Sequence, residues 1–154
     1  MGSELRHRNA LRVALVGCGR ISVRHAQLLG EGQIHGAELC GVCDLSAVKA
    51  KEISERHAVP AFIDMHEMMQ AVRPDVVSVL TESGNHARHV IQLAEYGAHI
   101  VVEKPMALAL EDADTMIKAC DVAGIKLFVI KQNRFNLPVV KLREALEAGR
   151  FGKL

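Results

Sequence analysis

Five short apolar runs punctuate the chain: Val13-Ala14-Leu15-Val16, Leu39 to Cys43, Val76-Val77-Ser78-Val79-Leu80, His99-Ile100-Val101-Val102 and Lys126-Leu127-Phe128-Val129-Ile130. Continuous runs of this length, rich in β-branched residues, suit strands covered on both faces. The segments between them carry a helical period instead. Met65, Met68, Met69 and Val72 fall at i, i+3, i+4 and i+7, as do Ala87, Val90, Ile91 and Ala94, and again Ala113, Met116, Ile117 and Cys120. Gly97 and Gly124 follow the second and third of these segments, where a left-handed residue ends a helix, and a strand resumes at once. Such short helix-to-strand joints imply parallel strands. Repeated strand–helix units with right-handed crossovers give an α/β fold, a doubly wound parallel sheet with helices on both faces. A last helix is expected to start near Asn136-Leu137-Pro138, bury Val139, Leu142 and Leu146, and stop at Gly149.

This pattern places a polar tail over residues 1–10, one domain over 11–149, and the start of a connection to a second, absent domain over 150–154. At 154 residues the chain suffices for one core without disulfide or metal staples. Aromatic residues are 3% of the chain and Trp is absent, so that core must be aliphatic. Lys plus Arg number 19 against 18 Asp plus Glu, a balance that gives no field to attract nucleic acid or an anionic membrane surface. Neither a signal peptide nor a membrane span is expected, and the location implied is cytoplasmic. Cys40 and Cys43 have a zinc-like spacing, yet they sit in a predicted strand, where residues three apart point to opposite faces. With no second pair of the same kind, buried free thiols are expected and no metal site.

The chemistry begins at Gly17-Cys18-Gly19-Arg20-Ile21-Ser22. This glycine loop follows the first strand and opens a helix over Ile21 to Leu29, and Asp44 stands at the end of the second strand, 22 residues after Ser22. That context is the dinucleotide-binding fingerprint of a Rossmann domain. Gly17 permits the tight turn, and Gly19 lets the backbone approach a pyrophosphate at the helix N-terminus. Ser22 replaces the third glycine and is small enough for close helix–strand packing. The Asp44 carboxylate can accept hydrogen bonds from ribose hydroxyls but repels a 2′-phosphate, and Leu45 offers no cation, so the cofactor expected is NAD rather than NADP.

Three polar clusters end later strands: Thr81-Glu82-Ser83-Gly84-Asn85-His86, Glu103-Lys104-Pro105, and Lys131-Gln132-Asn133-Arg134. In open parallel sheets ligands lie at this carboxyl edge. With the glycine loop, these clusters make the chain resemble the Gfo/Idh/MocA oxidoreductases over essentially its whole length, Glu103-Lys104-Pro105 being the most specific element. The stretch from Lys104-Pro105-Met106-Ala107-Leu108 to Lys131-Gln132-Asn133-Arg134-Phe135-Asn136 is most similar to one branch, the UDP-N-acetyl-2-amino-2-deoxyglucuronate dehydrogenases.

The resemblance implies hydride transfer from a sugar carbon to the nicotinamide of NAD, with Lys104 beside the reacting carbon. It implies cofactor contacts at Gly17, Cys18, Gly19, Arg20, Ile21, Asp44, Leu45, Thr81, Glu82, Ser83, Asn85, His86, Glu103, Lys104 and Pro105. Gln132, Asn133 and Arg134 are expected near the substrate or nicotinamide. A cis peptide bond is expected before Pro105. His89 and His99 are read as structural, because the family's proton-accepting histidine belongs to a second domain. The implied partner is a small molecule, a nucleotide sugar of surface-polysaccharide synthesis, and the implied assembly is a homo-oligomer once that domain is present. Two readings compete with this one: a surface Lys104 paired with Glu103, and a non-catalytic NAD(H)-sensing module. An S-adenosylmethionine methyltransferase shares the glycine loop but leaves Glu103-Lys104-Pro105 unexplained.

Overall fold

The structure, a computed structural model, describes residues 10–153, so residues 1–9 of the expected tail and Leu154 of the expected connection lie outside the described residues. Strand β1 (Leu11–Val16) leads into helix α1 (Arg20–Gly30), then β2 (Ala37–Cys43), α2 (Ala47–His57), β3 (Ala61–Phe62) and α3 (Met65–Val72). The second half runs β4 (Val76–Val79), a short 3-10 turn (Ser83–Asn85), α4 (His86–Ala94), β5 (His99–Val102), α5 (Leu110–Val122), β6 (Leu127–Val129) and α6 (Leu137–Glu147). All pairings are parallel and the strand order is β3-β2-β1-β4-β5-β6. The order reverses between β1 and β4, which makes the carboxyl ends of these two strands the switch point.

Two apolar layers sandwich the sheet. On one face Leu15 and Val42 pack with Ala26 and Leu29 of α1 and with Ala50 and Ile53 of α2. On the other, Val77, Val79, Ile100 and Val102 meet Met68 of α3, Val90 and Leu93 of α4 and Met116 of α5. The methionine stripe is thus core, with Met68 and Met116 fully buried. Ile91 and Ile117, placed on helix faces by their spacing, lie at the margins and remain exposed. Helices α3, α4 and α5 end as the glycines and caps dictate: Gly97 and Gly124 take φ of +73° and +68°, and Arg73 closes α3 at +44°. None of the described helices is long and apolar enough to cross a membrane.

Three expectations need correction. Helix α6 forms where expected, but Val139, Leu142 and Leu146 are 40%, 53% and 41% exposed, so it buries no core face. Phe128 on β6 is likewise exposed, because α1 and α2 cover only the β1–β3 side of that layer and no buried helix residue reaches the β6 end. Cys40 and Cys43 do not point to opposite layers. The β1–β2 register slips between Val13↔Leu39 and Ala14↔Gly41, an irregularity that leaves Cys40 unpaired and brings both thiols to the same apolar layer. Helix α2 and the two-residue strand β3 carry no strong periodicity and are absent from the sequence pattern.

Candidate active site

Gly17 closes the turn after β1 with φ of +100°, and its N–H donates to the Cys43 carbonyl at 2.8 Å. A Cβ there would lie 2.8 Å from the backbone of Leu80 and Thr81, so the end of β4 passes directly against it. Only glycine permits both this φ and this approach. Gly19 differs. It caps α1 in extended conformation, and a Cβ would meet nothing within 4 Å, so the space above it is open for a ligand at the N-terminus of α1. Ser22, at the third glycine position, is fully buried, and its hydroxyl donates to the Gly19 carbonyl. The serine therefore stiffens the loop from within. Cys18 is buried beneath the loop, whereas Arg20 and Ile21 are exposed on the first turn of α1.

Asp44 ends β2 beside this loop. Its Oδ2 accepts the Cys18 N–H at 2.7 Å and its Oδ1 accepts the Ser46 N–H at 2.8 Å. Each oxygen keeps a further lone pair, which is the capacity that two ribose hydroxyls require. Leu45 beside it is 92% exposed.

On the other side of β1, the turn after β4 and the turn after β5 are tied together by His86. The His86 ring is 1% exposed, with Nδ1 2.8 Å from the Pro105 carbonyl and Nε2 2.9 Å from the Thr81 carbonyl. Neither nitrogen is left for a ligand. Thr81 Oγ1 lies 3.0 Å from His89 Nδ1, while Arg88 approaches His89 Nε2 at 3.2 Å. Arginine only donates, so Nε2 accepts and the ring proton sits on Nδ1, donating to Thr81. Burial, reinforced by the Arg88 guanidinium, holds His89 below the ordinary histidine range. The structural reading of His89 fits this geometry; His99 Nδ1 similarly accepts the Lys126 N–H at 3.2 Å. Glu82, Ser83 and Asn85 form the rim of the β4 turn, the Asn85 N–H donating to the Glu82 carbonyl at 2.8 Å.

The Lys104–Pro105 peptide bond is cis, as expected from sequence. Glu103 does not neutralise its neighbour. Its Oε1 lies 3.2 Å from His25 Nε2 on α1, and its Oε2 accepts the backbone N–H of Lys104 at 3.2 Å. Among the described residues the exposed Lys104 ammonium makes no ion pair. Sequence reasoning missed His25, which is separated from Glu103 by 78 positions and announced by no local pattern. Gln132, Asn133 and Arg134 lie in an exposed turn after β6, next along the edge from Glu103; their hydrogen bonds stay within the turn.

The four cysteines are buried free thiols. Burial pushes Cys18 and Cys43 up to about 12 and Cys40 up to about 11, with nearby carboxylates adding to the first two. Such thiols are poor nucleophiles at neutral pH. Among the described residues no group of three or more His, Cys, Asp or Glu side chains is placed to hold a metal ion.

A parallel sheet in this order, with a glycine loop at its switch point and an acid at the end of β2, defines a dinucleotide-binding Rossmann domain. The family model for oxidoreductases with an NAD-binding Rossmann fold, GFO_IDH_MocA, matches residues 11–131, and the chain belongs to this Gfo/Idh/MocA family. It is 34% identical over 144 residues to myo-inositol 2-dehydrogenase of Thermotoga maritima, covering 93% of this chain and 42% of that protein. It is 32% identical over 146 residues to D-glucoside 3-dehydrogenase of Escherichia coli, covering 94% and 41%. Among solved structures, the WlbA dehydrogenase from Bordetella pertussis in complex with NADH and UDP-GlcNAcA superimposes with a TM-score of 0.87 at 39% identity, over 94% of this chain and 44% of that one. The chain thus spans about two fifths of the length of these relatives. It is an NAD-binding domain of that family.

Proposed function

We propose that this chain is the cofactor half of an NAD-dependent dehydrogenase that takes hydride from a sugar carbon, C3 of a UDP-N-acetylglucosaminuronic acid. The observation that carries the reading is Lys104: a cation at the carboxyl edge, next to the switch point, with no ion-pair partner among the described residues, whose neighbour Glu103 is occupied by His25. NAD, when bound, accepts the hydride. On this reading Asp44 would hold the adenosine ribose, Gly17 and Gly19 the pyrophosphate, and the Thr81 and Glu103 turns the nicotinamide end of the cofactor. Arg20, Ile21, Thr81, Glu82, Ser83, Asn85 and Pro105 would line the same site. Lys104 donates a hydrogen bond to the sugar hydroxyl and stabilises negative charge growing on its oxygen as hydride departs. Gln132, Asn133 and Arg134 border the substrate side.

The likeness to the NADH and UDP-GlcNAcA complex supports a nucleotide sugar as substrate; a role in surface-polysaccharide synthesis in the cytoplasm is proposed with it. Likeness to myo-inositol 2-dehydrogenase favours a polyol as the competing substrate class. Two measurements test the reading. Calorimetry of the 154-residue chain should show NAD and NADH binding. The protein encoded together with any sequence following Leu154 should reduce NAD with UDP-GlcNAcA and not with myo-inositol; the reverse preference assigns it to polyols.

A further inference from the structure

The turn that carries Lys104 is gripped from two helices by two histidines. From α1, His25 Nε2 reaches Glu103 Oε1 at 3.2 Å, with both side chains largely buried at 19% and 13% exposure. From the first residue of α4, His86 Nδ1 reaches the Pro105 carbonyl at 2.8 Å while Nε2 reaches the Thr81 carbonyl at 2.9 Å. The Glu103 N–H also donates to the Val79 carbonyl at 3.1 Å, so the strand end itself is fixed. Lys104 is the exposed residue between two anchored neighbours.

We infer that His25 and His86 are positioning residues for Lys104, holding the Glu103-Lys104-Pro105 turn between α1 and α4 so that the ammonium faces the nicotinamide. The inference rests on the reading of Lys104 as the lysine of hydride transfer. Neither histidine touches a reacting atom. A long lysine side chain has many rotamers, and a backbone fixed on both sides of Lys104 limits the directions its ammonium can take. His25 adds a connection of its own. It stands on α1, the helix that opens at the glycine loop, so its contact with Glu103 ties the lysine turn to the helix of the proposed pyrophosphate site. A carbonyl oxygen only accepts, so each His86 contact is a hydrogen bond where the ring nitrogen facing it carries the hydrogen.

Amide side chains separate this role from simple filling of space. Asparagine places its NH2 near the position of a histidine Nδ1, and glutamine places it near Nε2. His86→Asn therefore keeps the bond to Pro105 and loses the one to Thr81, while His86→Gln does the opposite. At position 25 the order reverses: His25→Gln keeps the bond to Glu103 and His25→Asn loses it. The readout is the Cε resonance of Lys104 in the 154-residue chain labelled with [ε-13C]lysine, assigned by its disappearance in Lys104→Arg, with and without saturating NAD. In the unsubstituted chain NAD should shift this resonance. His86→Asn and His25→Gln should retain most of that shift, and His86→Gln and His25→Asn should lose more than half of it.

A purely structural role predicts no such reversal, so equal effects of Asn and Gln at both positions overturn the proposal. Should the His86 variants fail to fold, the His25 pair decides alone, its site being partly open. If calorimetry shows NAD bound while the Lys104 resonance of the unsubstituted chain stays still, Lys104 is not beside the nicotinamide. The hydride-transfer reading then fails first, and the positioning role falls with it.

Discussion

Gly17 and Leu80 touch across the switch point: a Cβ on Gly17 would sit 2.8 Å from the Leu80 carbonyl carbon. This contact presses the glycine loop against the end of β4, and it separates the two glycines of the loop by what each position tolerates. Gly17→Ala should destabilise the chain by at least about 1–3 kcal/mol from the left-handed backbone alone, before any overlap is counted. Gly19→Ala should change stability by less than about 0.5 kcal/mol, since the space there is open, yet weaken NAD because the methyl enters the ligand's path. Urea unfolding without cofactor, followed by calorimetry with it, checks the pair. Equal loss of stability in both variants contradicts this division.

Asp44 uses one lone pair on each oxygen for the N–H groups of Cys18 and Ser46, leaving the others outward. Asp44→Asn turns one of these acceptors into a donor and removes the charge. Hydrogen bonds to a charged group contribute about 1.5–3 kcal/mol, so NAD affinity should fall roughly tenfold or more, while NADP, no longer repelled, should weaken less. The ratio of the two dissociation constants measures this, and an unchanged ratio removes Asp44 from the ribose site.

If Lys104 stabilises charge on the sugar oxygen, Lys104→Met in the enzyme that contains the substrate domain should lower kcat by about 10²–10³-fold. Its effect on NAD binding should be smaller. Steady-state kinetics at saturating NAD separates the two; a variant with unchanged kcat and a raised KM alone makes Lys104 a binding residue only.

The buried thiols make the fold sensitive to alkali. Burial raises Cys18, Cys40 and Cys43 from 9.0 to about 12, 11 and 12. Above pH 9 the unfolded chain loses these protons while the native chain keeps them. The unfolded state then binds fewer protons, and stability falls as pH rises from 9 towards 11–12, by at most about 1.4 kcal/mol per pH unit for each thiol. Cys40→Ala should make that decline shallower in denaturation midpoints taken at successive pH values. The same burial predicts that thiol reagents modify the native chain slowly and the unfolded chain quickly.

The residues that sequence could place are those whose role is local. Strand runs, the glycine loop and the αL ends at Gly97 and Gly124 depend on spacing within a few positions, and the structure has them where the pattern puts them. Helix α2 and strand β3 were hidden because α2 buries only Ala50 and Ile53, too sparse a face to register as a period. The α6 face misled in the opposite way: its apolar spacing is real, but a period shows that a face is apolar without showing what covers it. Cys40 departs from simple alternation through one slipped register position, which the sequence pattern does not carry. His25 was invisible, since its meaning lies in a partner brought close only by the sheet order.

His89 supplies a test of the site under acid. Its Nδ1–H donates to Thr81 Oγ1 and its Nε2 accepts from Arg88, so protonation would set a second donor against a guanidinium. Burial, and then Arg88, lower it from 6.5. Below pH 6.5 the unfolded histidine takes up a proton that the native one refuses. The unfolded state binds more protons, so stability falls as pH drops through this window and is fully present above it. His89→Asn keeps a donor for Thr81 and cannot titrate; the decline below pH 6.5 should therefore flatten in urea midpoints relative to the unsubstituted chain. A decline of unchanged slope would mean that another group, not His89, senses the acid.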